Sequence, residues 1–234
     1  MDDIIKKSQF RIKKSLDKGF AYHHLAIARS DKFLRKHDSQ RLPMFVVYVD
    51  LVGSTKMSSE LDPEIFNTII RVFSQEMAYV IEHFDGYVLK FVGDAVLGYF
   101  LASEKVAFVA NKTIMCAKTM QLVIKNAINP LLENKNYPKL KIKITLDFGN
   151  CSIIRYGSDR NLSHIDLIGL TLNLAAKMQQ KTQPDQITIG DHVYEKLNYK
   201  NKRYFFKIKT DPKSWFYHDL GKEKQYSIYS NKIK

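Results

Sequence analysis

The sequence predicts an α+β domain whose first six elements run strand, helix, strand, strand, helix, strand. Three observations support this order: a near-continuous apolar run ends at Asp50, two long segments carry helical periodicity, and a later segment alternates Lys with Ile or Leu. Buried strands are apolar throughout, amphipathic helices bury every third or fourth residue, and half-exposed strands alternate. The order is that of the ferredoxin-like β-α-β-β-α-β core.

The elements of this core can be placed one by one. The first strand is MFVVYVDL, residues 44–51. The first helix begins at Asp62, a suitable N-cap, with Pro63 in its first turn. The stretch GYVLKFVGDAVLGYF, residues 86–100, is a hairpin that turns at Gly93-Asp94. The second helix covers residues 103–129, and we expect it to end near Asn129-Pro130.

Smaller elements follow the second helix. KLKIKITLDFGN is a strand that we expect to end at Gly149, with residues 151–157 continuing the sheet after a bend. The segment HIDLIG leads into a helix, LTLNLAAKMQQ, and a short strand and a short helix meet at Gly190-Asp191. The tail contains two pieces with strand-like patterns, RYFFKIK and KQYSIYS.

Composition limits the class of protein and its partners. The 234 residues include 37 Lys and Arg against 24 acidic residues, a net charge of +13. Such a charge favours polyanions, although Lys-rich solvated faces give the same excess. Cys116 and Cys151 have no Cys or His at metal-ligand spacing, and no stretch of about 18 apolar residues or secretory signal is present. We therefore expect a cytoplasmic protein without structural zinc or a transmembrane segment.

The composition changes at Pro43, so we divide the chain into residues 1–42 and 43–234. Residues 1–42 form a basic arm with apolar positions at helical spacing. The arm could pack on the domain, dock a partner, or make a weak contact with an anionic membrane surface. No helix-turn-helix, zinc finger or aromatic RNA-binding stretch is visible, so no specific nucleic-acid partner is expected.

Two acids mark a candidate metal site. Asp50 ends the first strand and Asp94 lies at the tip of the hairpin, and the predicted topology makes these strands neighbours. Hard divalent cations bind carboxylates together with phosphates, and the backbone N–H groups of residues 51–55, which include Gly53, Ser54 and Thr55, can cradle phosphate. Either acid alone could make only local hydrogen bonds, but the two together favour a metal site.

The segments FVVYVDLVGSTKMS, GYVLKFVGDAVLGYF, DLIGLTLNLAAKM and PDQITIGDHVYEKL together resemble the class III nucleotidyl cyclase catalytic domain over residues 43–230. The resemblance implies conversion of ATP to 3′,5′-cyclic AMP and pyrophosphate, with two Mg²⁺ or Mn²⁺ ions per site. It also implies a homodimer in which one chain supplies the metal ligands and the other supplies the residues for the base and the transition state.

By position, the resemblance implies that Asp50 and Asp94 bind the metals and that Lys90 and Asp166 bind the base. Asn173 would orient the ribose, and Lys177 would stabilise the transition state. Because Asp166 can accept from the amino group of adenine, the Lys90–Asp166 combination favours ATP over GTP. Whether Asp166 meets Lys90 within one chain or across the dimer is left open. Lys90 could instead snorkel at a strand end, and Asp166 could be an ordinary loop acid.

Three departures from the family pattern keep other functions open. Lys177 replaces an arginine and so lacks its planar fork, which leaves Lys56, Arg155 or Lys222 as supporting cations. Lys222 is also carried over as a phosphate ligand, although it follows Gly221 where the family lysine precedes a glycine. Tyr48 replaces a more usual Phe and lies in the core or lines the pocket. The rival hypotheses are a degenerate nucleotide sensor or dimerisation module, a cyclase of GTP or of a pyrimidine nucleotide, and a nucleic-acid-binding protein.

Overall fold

The computed structural model describes residues 2–19, 25–102, 105–157, 159, 163–219 and 224–231. The α-helices are α1 Asp2–Lys18, α2 Leu25–Lys36, α3 Ser54–Glu60, α4 Pro63–His83, α5 Val106–Val123, α6 Asn129–Glu133, α7 Leu170–Met178, α8 Asp191–Lys196 and α9 Tyr199–Lys202. The strands are β1 Arg41–Leu51, β2 Tyr87–Val92, β3 Ala95–Leu101, β4 Ile142–Tyr156, β5 His164–Ile168, β6 Ile187–Gly190, β7 Phe205–Lys207 and β8 Ile228–Asn231. Among these helices, none is long and apolar enough to cross a membrane.

One sheet runs through the domain in the order β2-β3-β1-β4-β6-β8-β7, and β5 pairs with the second half of β4. The first four strands pair with one another in antiparallel fashion, and β4 pairs in parallel with β6. The order β4-β1-β3-β2, with α4 and α5 as the two crossovers, confirms the predicted ferredoxin-like core.

The two faces of the sheet bury different clusters. Alternation along β1 sends Val47 and Val49 into the larger cluster with α4 and α5. Met44 and Val46 point to the opposite face, where a smaller cluster includes residues of α2 and α7 and Trp215. Tyr48 and Asp50 continue this second register, so the end of β1 carries its polar side chains on the face covered by α2 and α7.

The predicted arm is two helices that pack on the domain. In α1, Ile4 and Ile12 are buried in the larger cluster, and Arg11 makes a bidentate ion pair with the buried Glu76 of α4. In α2, Leu34 is buried in the smaller cluster. The first strand begins at Arg41, two residues before Pro43, so the strand starts inside the predicted arm.

Two predicted element ends are wrong. The helix expected to close near Asn129-Pro130 instead passes through a π-helical turn, Ile124–Ile128, into α6, where Pro130 occupies the first turn. Pro130 has no N–H to donate to the preceding turn, and the carbonyl of Asn126 accepts from the side chain of Gln9 at 2.8 Å. The strand expected to end at Gly149 runs unbroken from Ile142 to Tyr156. Gly149 is needed there because a Cβ would collide with Thr171 Oγ1 at the start of α7.

The tail forms strands that are shorter than predicted. Within RYFFKIK only Phe205–Lys207 is strand, and within KQYSIYS the strand begins at Ile228 and ends at Asn231. These two strands pair with each other, and β8 joins them to β6. The predicted N-cap is confirmed, because the Asp62 carboxylate accepts from the backbone N–H of Glu64 at 2.8 Å.

Candidate active site

The two predicted metal-binding acids lie together at the end of β1. Asp50 pairs with Ala95, which directly follows Asp94 in the β2–β3 hairpin, and the N–H of Leu51 donates to the carbonyl of Asp94 at 3.3 Å. Burial, together with the negative charge of Asp94, raises the pKa of the half-buried Asp50 to about 6. This pair of mutually repelling carboxylates fits a divalent cation, which would relieve the repulsion.

The hairpin geometry explains how Asp94 reaches this place. Val92 pairs with Ala95, so Gly93 and Asp94 are the whole loop. Gly93 has a φ of 59°, a value that favours glycine, and two-residue loops with such a glycine match the twist of the flanking strands. The tight loop therefore fixes Asp94 against the end of β1.

Among the described residues, no group of three or more His, Cys, Asp or Glu side chains could hold a metal ion. Two carboxylates are nevertheless sufficient for Mg²⁺, which commonly takes one or two carboxylates and completes its shell with substrate phosphates and water. The chemistry of the two acids thus fits a cation that binds together with a nucleotide.

Lys143 is a component that sequence reasoning missed. It pairs with Asp50 across β1 and β4, and its positive charge lowers the pKa of Asp50 against the effect of burial. In KLKIKITLDFGN several lysines alternate with apolar residues, so Lys143 could not be distinguished from the solvent-facing lysines of a half-exposed strand. The strand register could have found it, because residues paired directly across two strands share a face.

The predicted phosphate loop is only partly available to a ligand. The N–H of Leu51 is used by Asp94, and the N–H of Val52 donates to the carbonyl of Lys141 at 2.9 Å. Gly53, with a φ of 76°, turns the chain into α3, and Ser54 and Thr55 form its first turn. The N–H groups of a first helical turn have no partner within the helix, so this part of the loop keeps donors for an anion.

Lys90 and Asp166 form an ion pair within one chain. Lys90 lies on β2 and Asp166 lies on β5, two strands that are not neighbours in the sheet. The register of β2 against β3 shifts between Val88 and Lys90, and such a bulge redirects the side chain that follows it. The Asp166 side chain is 12% exposed, and the N–H of Leu167 donates to its second oxygen at 2.9 Å. The question left open by the sequence is answered: the pair does not need a second chain.

Asn173 and Lys177 project from α7, one turn apart, and both are exposed. The helix is tied to the sheet by Thr145, whose hydroxyl donates to the carbonyl of Ala175 at 2.7 Å. Gln179, just beyond the helix, donates to the carbonyl of Tyr48 at 3.0 Å. These bonds hold the exposed face of α7 at a fixed place relative to β1.

The other candidate cations have different surroundings. Lys56 pairs with Glu60 on the surface of α3, and Arg155 is engaged by Asp38 at 2.7 Å and by Ser163. Lys222 lies outside the described residues. The half-buried Tyr48 packs against the smaller cluster, and burial and the charges of Asp50 and Asp94 raise its pKa, so it lies between the core and the two acids.

A cleft of about 430 Å³ lies between β4, α8 and the start of α7, and Asp147 is part of its wall. On α7 it is lined by Leu170, Thr171 and Leu174. Asp147 is fully buried and accepts from the hydroxyl of Tyr226 at 2.6 Å, while its other oxygen has no partner among the described residues. Burial raises the pKa of Asp147 to about 7.

A comparison with known families identifies the class of domain. The sequence model of the adenylate and guanylate cyclase catalytic domain matches residues 38–230. The chain therefore belongs to this family of class III nucleotidyl cyclases.

Among curated proteins, the chain is 28% identical over 192 residues to a cytidylate cyclase of Staphylococcus aureus, which covers 80% of this chain and 44% of that protein. It is also 28% identical over 162 residues to a uridylate cyclase of Rhodovulum sp., which covers 65% of this chain and 64% of that protein. The chain thus spans about half to two thirds of the length of these relatives.

Among solved structures, the fold resembles the guanylyl cyclase Cya2 with a TM-score of 0.68 at 22% identity, over 83% of this chain and 93% of that one. It resembles the adenylyl cyclase CyaB from P. aeruginosa with a TM-score of 0.63 at 21% identity, over 83% of this chain and 96% of that one. At these identities the likeness is one of fold.

Proposed function

We propose that this domain cyclises a nucleoside triphosphate whose base carries an exocyclic amino group, with CTP as the first candidate, to the 3′,5′-cyclic nucleotide and pyrophosphate. The observation that carries the proposal is the Lys90–Asp166 pair, a donor and an acceptor side by side. Cytosine presents an amino donor at C4 beside an acceptor at N3, and adenine presents the same pattern at C6 and N1. Uracil and guanine present a carbonyl beside a ring N–H, which is the reverse.

The choice between cytosine and adenine is made on the relatives. Proteins named cytidylate cyclase occur among them from both Staphylococcus aureus and Escherichia coli. This supports CTP over the ATP that the sequence pattern alone favours. ATP is kept as the second candidate because its base offers Lys90 and Asp166 the same two groups.

The remaining residues receive roles from their placement. Asp50 and Asp94 would hold Mg²⁺ or Mn²⁺, which when bound lowers the pKa of the 3′-hydroxyl and neutralises phosphate charge. Lys143, beside Asp50, contributes a fixed positive charge towards the phosphates. Asn173 orients the ribose, and Lys177 faces the charge that develops as pyrophosphate departs.

The arrangement also supports a homodimer with two equivalent sites. Asp50 and Asp94 of one chain would face Lys90, Asp166, Asn173 and Lys177 of the other, as in the family pattern. Exposed apolar side chains flank both the metal ligands and the residues proposed for the nucleotide. Phe91 and Val92 lie on the hairpin, Ile168 precedes α7, and Leu170 begins it. Burying these side chains would favour association.

A degenerate nucleotide sensor remains the second candidate function, because Lys177 lacks the fork that binds two phosphate oxygens at once. Such a protein would bind nucleotide without releasing pyrophosphate. A turnover assay separates the two candidates.

The test uses purified protein with Mn²⁺ and each of CTP, ATP, UTP and GTP, with the product identified by mass. We expect cyclic CMP as the main product, and we expect Asp50→Asn or Asp94→Asn to reduce its formation at least 100-fold. Glu60→Gln on the nearby surface of α3 is the matched control. Main turnover of UTP or GTP would contradict the amino-base proposal, and nucleotide binding without any product would favour the sensor.

A further inference from the structure

The second helix of the N-terminal arm, α2, spans the two strands that carry Lys90 and Asp166. It packs on β2 and also contacts β5, although these strands are not neighbours in the sheet. Leu34 of α2 is buried in the cluster that contains Ile165 and Leu167, the two residues flanking Asp166. The helix is therefore the element that joins the two halves of the pair on this face.

On the side of β5, α2 is anchored by hydrogen bonds to Ser163, which precedes the strand and is buried. Arg35 Nη2 donates to the carbonyl of Ser163 at 2.9 Å. Arg155 of β4 donates to the Ser163 hydroxyl at 3.0 Å and to Asp38, just after α2, at 2.7 Å. Ser163, three residues before Asp166, thus accepts hydrogen bonds from both α2 and β4.

On the side of β2, α2 makes aromatic and polar contacts. The ring of Phe33 lies 5.2 Å from that of Tyr87, and Tyr87 stacks on Tyr99 at 5.1 Å. Arg29 lies over the ring of Tyr87 at 4.3 Å and donates to the carbonyl of Gly86. These contacts fix the start of β2 at Tyr87, directly before the bulge between Val88 and Lys90.

We infer that α2 is a positioning element for base selection, and that Arg35 is its principal positioning residue. Arg35 sets the place of β5, and through β5 it sets the spacing at which Asp166 and Lys90 meet the base. The inference rests on the proposed role of that pair in reading the base.

The test measures kcat/KM for CTP and UTP, and for ATP and GTP, in wild type and in Arg35→Ala. Since a displacement of a recognition group by about 1 Å reduces productive binding up to 100-fold, we expect the ratio of amino-bearing to carbonyl-bearing substrate to fall about tenfold. Arg35→Lys, which keeps the charge and a donor, should recover most of the ratio. Lys32→Ala, on the exposed side of α2, should leave it unchanged.

A purely structural role predicts a different result. Arg35→Ala would then lower the melting temperature and the turnover of all four nucleotides together, with the ratio unchanged, and this would overturn the inference. If Arg35→Ala fails to fold, Ser163→Ala removes the hydroxyl that accepts from Arg155 and should lower the ratio a few-fold; an unchanged ratio there also overturns the inference.

A double-mutant cycle separates this inference from the proposed function. If α2 acts through Asp166, Arg35→Ala should have no further effect on the ratio in the Asp166→Asn background. An unchanged ratio in Asp166→Asn alone would refute the proposed base reading. A changed ratio in Asp166→Asn with none in Arg35→Ala would refute only the role of α2.

Discussion

At the residue scale, the proposed reading of the base makes a prediction for the buried carboxylate of Asp166. Its acceptor oxygens suit the amino group of cytosine or adenine, whereas an amide in the same place would offer a donor to the O4 of uracil. We expect Asp166→Asn to reduce the CTP-to-UTP ratio of kcat/KM by about 10- to 100-fold, since one base contact discriminates by about 1–3 kcal/mol. Steady-state kinetics with both nucleotides measure the ratio.

Asp85→Asn is the matched control for this change. Asp85 is exposed just before β2 and pairs with Lys112, so its amide should leave the ratio unaltered. An Asp166→Asn protein with wild-type selectivity would show that Asp166 does not read the base.

Lys177 defines a second prediction at this scale. Restoring the planar fork with Lys177→Arg should raise kcat about three- to tenfold, because a bidentate guanidinium binds the departing phosphate oxygens better than an ammonium. Initial rates at saturating nucleotide measure kcat. Lys181→Arg, one turn further along, should not change it, and a lower kcat for Lys177→Arg would mean that the pocket is built around lysine.

Asp147 makes stability depend on pH. Its pKa is about 7 in the folded protein against 3.8 as the ordinary value, so the folded protein keeps a proton that the unfolded chain releases in between. Its contribution to the free energy of unfolding is therefore full below about pH 4 and is lost as the pH rises to about 7. Between pH 5 and pH 8 the loss should be roughly 2–3 kcal/mol. Urea unfolding at both pH values should show a loss that is smaller in Asp147→Asn than in wild type by roughly this amount. Asp50, whose raised pKa is about 6, contributes to the loss in both proteins, and Asp17→Asn should behave like wild type.

Not all of these residues could be found from the sequence. Asp50 and Asp94 stand out because an acid ending an apolar strand and an acid in a two-residue hairpin are local patterns. Lys143 and Asp147 do not stand out, since their roles depend on which strand lies beside β4 and on which side chains cover it. That information exists only once the sheet has formed.

At the element scale, α1 is attached to the domain through the Arg11–Glu76 ion pair. The Glu76 side chain is 3% exposed, its oxygens accept from Arg11 at 2.9 and 2.6 Å, and the guanidinium also lies over the ring of Tyr79. Removal of one partner leaves the other charge buried. We expect Arg11→Ala to lower the free energy of unfolding by about 2–4 kcal/mol, measured by urea denaturation.

The paired replacement is the control for this prediction. Arg11→Met combined with Glu76→Leu removes both charges and keeps apolar volume, so it should recover most of the lost stability. Equal losses in the single and the double variant would mean that packing of α1, and not the ion pair, sets the effect.

The errors in predicting elements share a cause. A π-helical turn keeps apolar residues on nearly the same side as an α-helix, so the periodicity of residues 103–129 gave no sign of Ile124–Ile128. Gly149 was interpreted as a strand end because glycine usually interrupts strands. Its actual reason is the approach of Thr171 from α7, a contact between elements that are more than twenty residues apart.

At the scale of the whole molecule, mixing two inactive variants tests whether each active site is formed by two chains. Asp50→Ala damages the metal half of every site, and Asn173→Ala damages the nucleotide half. In a head-to-tail homodimer a mixed pair contains one site with both defects and one intact site. Random mixing makes half of the dimers mixed, so we expect about a quarter of wild-type activity from two inactive parents.

The control for mixing is a pair of parents defective in the same half. Asp50→Ala mixed with Asp94→Ala should stay inactive, because every site then lacks one metal ligand. Activity that remains at the level of the parents in the first mixture, with dimers verified by sedimentation, would rule out sites shared between chains. The order of strands was predictable from sequence. Whether two chains share an active site depends instead on a surface that only the folded chain presents.

The ion pair between Lys90 and Asp166 has one more consequence. In the absence of nucleotide the two groups satisfy each other, so the protein carries its own competitor for the position of the base. If the pair reads the base as proposed, every nucleotide would have to open this internal contact in order to bind. Only a base that offers both an acceptor to Lys90 and a donor to Asp166 would compensate for the opened contact, whereas a base with the reverse pattern would leave two polar groups unmatched. On the proposed function, the ion pair would thus act as a threshold that rejects the wrong nucleotide before any chemistry begins.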